Sequence, residues 1–178
     1  ATINIASADL NQDGHIDLVL ANRNSQPNKI YFGPDFEQSF LFGEDNNETR
    51  GVAIEDMNQD GFLDIITVNI GNKNGIYFGD GSGKYARSIF FGKTSDATMA
   101  VVIGDLDNDG DLDIVAGNNN QKNQYFINNG DEFSPFQFGE SSSISYGVTL
   151  GDFSGNGKLD IIVSNSGSRN IVYYNQSK

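Results

Sequence analysis

"DLDNDGDLD" (residues 105–113) places an aspartate at every second position, five carboxylates in nine residues. Charges this close repel one another unless a cation or hydrogen-bond donors offset them. The stretch recurs as "DLNQDGHID" (9–17), "DMNQDGFLD" (56–64) and "DFSGNGKLD" (152–160). The first aspartates, Asp9, Asp56, Asp105 and Asp152, are spaced 47, 49 and 47 residues apart. Seven residues before each stands a small hydroxyl residue: Thr2, Thr49, Thr98 and Ser145. Five residues after each loop stands an asparagine: Asn22, Asn69, Asn118 and Asn165. An aromatic segment follows, "IYFG" (30–33), "IYFG" (76–79), "QYFIN" (124–128) and "VYYN" (172–175). Phe-Gly then closes three copies, at Phe42-Gly43, Phe91-Gly92 and Phe138-Gly139. The chain is therefore four copies of one unit, bounded at 1–48, 49–97, 98–144 and 145–178, the last without its closing segment.

Each complete copy reads as four short strands. "GVAIED" and "AVVIGD" alternate apolar with small or polar residues, the pattern of a half-buried strand. "DLVLAN", "DIITVN", "DIVAGN" and "DIIVSN" are short runs rich in Ile and Val, which suit buried strands. The aromatic segment is the third strand and "KYARSIFFG" the fourth; no stretch sustains a 3.6-residue period. Four-stranded units of this length are the pattern of an all-β chain of β-propeller blades. One blade cannot bury both its faces alone, so neighbouring copies must stack.

Composition narrows the function. With 24 acids against 11 bases, the net charge is −13, which excludes a phosphate-binding surface and hence nucleic acid. The absence of cysteine removes disulfides and zinc–thiolate sites. No apolar run approaches the roughly 20 residues of a membrane-spanning helix, so membrane insertion is not expected. No signal peptide is visible in these residues.

In each acidic loop, oxygens at positions 1, 3, 5 and 9 converge, the carbonyl of position 7 can join them, and glycine at position 6 permits the bend. Oxygen-only donors in a flexible cage suit calcium, whereas magnesium demands stricter octahedral geometry. Position 12, where a helix–loop–helix calcium site needs glutamate, is Leu20, Thr67, Ala116 or Val163, and strand formers follow. The loops are therefore read as calcium loops in β-hairpins, with three to four sites. The most acidic, at 105–113, is expected to be the tightest. The one at 152–160, with Ser154, Asn156 and Lys158 inside it, is expected to be the loosest. Much of the net charge is then ligand charge. Affinities of roughly 10⁻⁴–10⁻³ M, usual for such sites in extracellular modules, point to a secreted or cell-surface setting.

"GVAIEDMNQDGFLDIITVN…NGIYFGDGSG" resembles the FG-GAP/VCBS repeat of integrin α-subunit propellers and many bacterial secreted proteins. The resemblance covers essentially the whole chain. It implies calcium on Asp9, Asn11, Asp13 and Asp17, and on Asp56, Asn58, Asp60 and Asp64. It implies the same for Asp105, Asp107, Asp109 and Asp113, and for Asp152, Ser154, Asn156 and Asp160. Position 7, held by His15, Phe62, Asp111 and Lys158, would contribute its carbonyl. The family's propellers have about seven blades, so four copies leave open a fragment of a larger ring, or two copies of the chain closing one. The missing fourth strand favours pairing with another chain.

The resemblance also implies a ligand face opposite the calcium loops. Its candidates are the repeat asparagines Asn22, Asn69, Asn118 and Asn165, and a column that varies while its neighbours do not: Ile3, Arg50, Met99 and Tyr146. The alternative for each asparagine is a turn-building role. Three function classes follow: a calcium-stabilised binding or adhesion module for protein or glycan, a lectin proper, or part of a secreted polysaccharide-active enzyme. Tryptophan, the usual sugar-stacking residue, is absent, and the single histidine, His15, sits inside a calcium loop. Catalysis is therefore not expected.

Overall fold

The computed structural model describes residues 1–44, 47–130 and 132–176, so positions 45–46, 131 and 177–178 of the copies assigned above lie outside the described residues. The chain divides into two compact units, Ala1–Asp96 and Ala97–Lys178, and each holds two copies. The division falls where the second copy meets the third.

Unit 1 begins with β1 (Thr2–Ala8), β2 (Asp17–Asn22), β3 (Asn28–Tyr31) and β4 (Ser39–Phe42). The second copy supplies β5 (Glu48–Glu55), β6 (Asp64–Ile70), β7 (Asn74–Phe78) and β8 (Arg87–Phe91). Unit 2 continues with β9 (Thr98–Gly104), β10 (Asp113–Asn118), β11 (Asn123–Asn128) and β12 (Phe133–Phe138). The fourth copy supplies β13 (Ile144–Gly151), β14 (Asp160–Ser166) and β15 (Ile171–Tyr173). Each copy is one antiparallel sheet with strands in chain order, four-stranded in the first three copies and three-stranded in the fourth. These are propeller blades, as the repeat predicts. Among the described residues no helix is long and apolar enough to cross a membrane.

The Ile/Val run of each second strand occupies the centre of its sheet, where both faces are covered. β10 is buried along its whole length, and β6 in all but its last residue. Unit 1 closes where Leu10, Val19, Ile30 and Phe42 of the first sheet meet Ile65, Tyr77 and Tyr85 of the second. Unit 2 repeats the arrangement with Leu106 and Val115 against Ile161 and Val163. There the flanking Tyr125, Phe138 and Tyr173 are only half-buried. Fully burying a side chain of this size stabilises by about 1.5–3 kcal/mol.

The first strand of every copy carries a bulge at the same place. Pairing steps from Thr2 to Asn4, from Thr49 to Gly51, from Thr98 to Ala100 and from Ser145 to Gly147. The skipped residues are Ile3, Arg50, Met99 and Tyr146, the variable column of the sequence. A bulge inserts one unpaired residue and re-aims its side chain out of the alternating pattern. That frees the position from core packing and lets it differ among the copies.

Ile65 is fully buried between two complete sheets. Ile65→Ala is expected to lower stability by about 2–5 kcal/mol in urea unfolding monitored by circular dichroism. Ile161→Ala, at the more open equivalent position, is expected to cost less.

Candidate metal loops and the frame that holds them

Each acidic loop joins the first and second strands of its sheet. Position 9 opens the second strand, and its carboxylate is sealed from solvent in all four copies: Asp17, Asp64, Asp113 and Asp160. Both oxygens accept backbone hydrogen bonds. Asp17 takes the N–H of Leu10 at 2.9 Å on one and of Gly33 at 2.9 Å on the other. Asp64 takes Met57 and Gly79, both at 2.9 Å. Asp113 takes Leu106 at 2.7 Å and Asn128 at 2.8 Å. Asp160 takes Phe153 and Ser154 at 3.0 and 2.9 Å, and Asn175 at 2.8 Å. One side chain thus clamps the loop to the segment leaving the third strand. Burial pushes Asp64 and Asp113 up to about 6, against the opposing pull of their backbone donors. Asp160 is held below the ordinary carboxylate value, chiefly by the Asn175 N–H.

The remaining ligand positions are shaped by the loop's own backbone. The position 1 carboxylates, Asp9, Asp56, Asp105 and Asp152, each accept the N–H of the position 6 glycine at 2.8–3.0 Å. Position 5 accepts the N–H of position 7: Asp13 from His15, Asp60 from Phe62, Asp109 from Asp111 and Asn156 from Lys158. Position 3 also faces inward, with Asn11 Nδ2 donating to Asp13 at 3.0 Å and Asn58 Nδ2 to Asp60 at 2.9 Å. Position 6 needs glycine for its backbone, not for room. Gly14, Gly61, Gly110 and Gly157 have φ of 81–98°, and nothing lies within 4 Å of where a Cβ would stand.

The donor set fits a hard divalent cation. Carboxylate oxygens of Asp105, Asp107 and Asp109 lie within 4.8 Å of one another. Asp107 sits above its ordinary value through partial desolvation and then the charges of Asp109 and Asp105. A divalent ion would relieve that repulsion, with Asp105, Asp107 and Asp109 as its holders and Asp113 beneath them. In the other loops the holders would be Asp9, Asn11, Asp13 and Asp17; Asp56, Asn58, Asp60 and Asp64; and Asp152, Ser154, Asn156 and Asp160. The His15 ring is exposed, consistent with only its carbonyl having a ligand's place.

The repeat asparagines, candidates for a ligand face, also hold the frame. Asn22, Asn69 and Asn118 are buried and Asn165 is half-buried. Each donates its side-chain amide to the carbonyl of Pro27, Lys73, Lys122 or Arg169, closing the hairpin between second and third strands. Each backbone N–H goes to a further asparagine that opens or precedes the third strand: Asn28, Asn74, Asn123 or Asn170. The repeated hydroxyl joins this network. Thr49 Oγ1 donates to Asn69 Oδ1 at 2.8 Å and accepts from Asn28 Nδ2 at 3.1 Å, tying the first sheet to the second. Thr2 and Ser145 make the same bond to Asn22 and Asn165. The bulge column differs in exposure from copy to copy. Ile3 is 42 % exposed and Tyr146 59 %. Arg50 is half-buried and paired with Glu48 at 3.4 Å.

Two features escaped the sequence reading. Position 4 links successive loops: Gln12 Nε2 donates to the Gly61 carbonyl at 3.0 Å, and Asn108 Nδ2 to the Gly157 carbonyl at 3.3 Å. Their only sequence signal is an amide residue in the same loop column. Position 9 acts as a structural clamp as well as a potential ligand, and its signal was an aspartate invariant across all four copies.

The FG-GAP-like repeat model matches three times, over residues 9–67, 56–116 and 105–163, and the chain belongs to that family. Each match runs from one acidic loop into the second strand of the next copy. Among solved structures, the chain is similar to BBS1N crystallised in complex with ARL6DN. A lead-soaked crystal gives 11 % identity and a TM-score of 0.62, covering 100 % of this chain and 58 % of that one. A mercury-soaked crystal gives 11 % identity and a TM-score of 0.70, covering 99 % and 56 %. It is also similar to the V. cholerae biofilm matrix protein Bap1, with 13 % identity, a TM-score of 0.53, and 98 % and 31 % covered. The chain thus spans little more than half the length of BBS1N. At these identities the likeness is one of fold. No curated protein matches the sequence.

The clamp and ligand roles separate by mutation. Asp64→Asn replaces an acceptor with a donor opposite a backbone N–H, and is expected to cost about 1–3 kcal/mol even with a chelator present. Asp60→Asn, in the exposed part of the same loop, is expected to change metal-free stability by about 0.5 kcal/mol or less. Urea unfolding of both variants in EGTA checks the contrast.

Proposed function

We propose that this chain is a calcium-stabilised β-propeller binding module, secreted or displayed at a cell surface, whose role is recognition rather than catalysis. One observation carries the reading: four loops of the same design, each with its oxygen donors turned inward by its own backbone. Calcium bound there would neutralise clustered carboxylates and lock each hairpin. It supplies rigidity, and the protein's own residues supply recognition. A protein partner is the favoured ligand. The bulge column offers two apolar side chains, one aromatic and one cation, a mixture suited to a protein surface. BBS1N, of the same fold, was crystallised with a protein partner, and Bap1 is named as a biofilm matrix protein.

Magnitudes make the calcium claim testable. At Kd of roughly 10⁻⁴–10⁻³ M, calcium at about 10 mM stabilises by about 1.4–2.7 kcal/mol per site. Three filled sites would then rival the whole stability of a typical domain, about 5–15 kcal/mol. Chelation by EGTA is expected to lower the melting temperature by several degrees or more, and calcium to restore it. Identical melting curves in EGTA and millimolar calcium would remove the proposal. For the ligand, a glycan array probed in calcium is expected to show no signal that Tyr146→Ala weakens. A signal lost with Tyr146→Ala would select the lectin reading instead.

A further inference from the structure

Gln12 and Asn108 each stand between candidate ligand positions of one acidic loop and bond to the next loop. Gln12 lies between Asn11 and Asp13 with φ of 57°, and Asn108 between Asp107 and Asp109 with φ of 63°. The backbone that carries each is tied to the first carboxylate of its own loop. Asp9 accepts the Asp13 N–H at 3.1 Å, and Asp105 accepts the Asn108 N–H at 2.7 Å. The side chains then leave the loop. Gln12 Nε2 reaches the Gly61 carbonyl at 3.0 Å, and Asn108 Nδ2 the Gly157 carbonyl at 3.3 Å. Each accepting carbonyl shares its peptide group with an N–H already given to position 5 of the second loop. Phe62 donates to Asp60 at 3.0 Å, and Lys158 to Asn156 at 2.9 Å. A line of hydrogen bonds therefore runs from position 1 of one loop to position 5 of the next, once in each unit. Hydrogen bonds in series through a peptide group polarise one another.

A second bridge backs the first in each unit, built from different residues. In unit 1 the segment 80–83 leans on both loops. A Cβ on Gly81 would collide with the Phe62 ring of the second loop. One on Gly83 would stand 2.7 Å from the Phe32 ring and 3.5 Å from Asn11 Cβ of the first loop. In unit 2 the bridge is Asn175. Its Nδ2 donates to the Leu106 carbonyl in the loop at 105–113 at 2.7 Å, and its carbonyl accepts from Asn156 Nδ2 in the loop at 152–160 at 2.9 Å. Unrelated residues thus reach the same end, a mechanical tie between two stacked loops.

We propose that the two acidic loops of each unit are coupled cation sites, with Gln12 and Asn108 as the positioning residues that carry the coupling. An ion in either loop raises the affinity of its partner. This rests on the calcium reading above. Closing the first loop around an ion fixes the backbone of Gln12, and through its side chain the Gly61–Phe62 peptide that holds Asp60. The second loop then loses less conformational freedom when it binds. By linkage the effect is equal in both directions. Charge acts the other way, because two divalent ions repel and each cancels carboxylate charge that attracts the other. At about 0.15 M salt that repulsion is screened beyond roughly 8 Å. Variants of unchanged charge isolate the contribution of the hydrogen bonds.

Gln12→Met keeps the length and charge of an exposed side chain and removes the donor. Calcium titration of the 178-residue chain by ¹H–¹⁵N NMR reads the first loop at Gly14 and the second at Gly61. Gln12→Met is expected to weaken calcium at the second loop by about threefold to tenfold, the range of one hydrogen bond, although it supplies no ligand there. A role confined to shaping its own loop would move Gly14 alone. Asp13→Asn weakens the first site, and its effect on the second should shrink in the Gln12→Met background, as coupling requires. Asn108→Gly, which suits the φ of 63° and lacks the donor, repeats the test in unit 2 at Gly157 with the same expected direction. Both loops saturating with affinity at Gly61 and Gly157 unchanged by these variants would overturn the coupling and leave the calcium sites standing. Gly14 and Gly61 both silent to calcium would overturn the two together.

Discussion

The buried aspartate that opens the second strand of each sheet is the constraint on which the rest of the structure depends. Its two oxygens are committed to backbone donors from two separate segments, the acidic loop and the chain leaving the third strand. For Asp17 these are Leu10 and Gly33, sixteen residues downstream. A carboxylate out of contact with water must be satisfied in this way or by an ion. The clamp fixes where the loop sits above the sheet, and so where the carboxylates of positions 1, 3 and 5 converge. The acidic loops are therefore an outgrowth of sheet architecture, held at their base by the protein's own backbone donors.

The opposite end of each sheet is governed by neutral polar groups. Threonine or serine, the repeat asparagine and the asparagine near the third strand close the hairpin and, through Thr49, join adjacent sheets. Hydroxyl and amide both donate and accept, so one buried residue can hold two partners, as Thr49 does with Asn69 and Asn28. Between these two ends lies the Ile/Val core. One end gathers carboxylates and the other ties strands, while the bulged residues vary from copy to copy.

Much of this was legible because the chain repeats itself. Four acidic loops in register fixed the copies, and the period-2 and Ile/Val patterns fixed three strands of each. What stayed hidden depends on partners far apart in the chain. Asn22, Asn69, Asn118 and Asn165 were candidates for a ligand face because the resemblance places that face at their hairpins, with turn-building as the alternative. Their bonds to Pro27, Lys73, Lys122 and Arg169 show a latching role that spacing alone does not reveal. The column of Ile3, Arg50, Met99 and Tyr146 was visible as variation, but the bulge that explains it has no single-residue signature. Tyr85 looked like one more apolar residue at the head of a fourth strand, and its insertion between two sheets followed from neither spacing nor propensity.

The proposed calcium role requires the backbone-shaped loops to be cation sites. The amide protons of Gly14, Gly61, Gly110 and Gly157 report on it most directly, because each bonds to the first ligand carboxylate of its loop. Calcium titration of the metal-free chain, followed by ¹H–¹⁵N NMR, should shift the first three of these resonances in a saturable way at or below millimolar calcium. Gly110 should saturate first and Gly157 last. Resonances that stay fixed through about 10 mM calcium, well above the Kd range of such sites, would contradict the account.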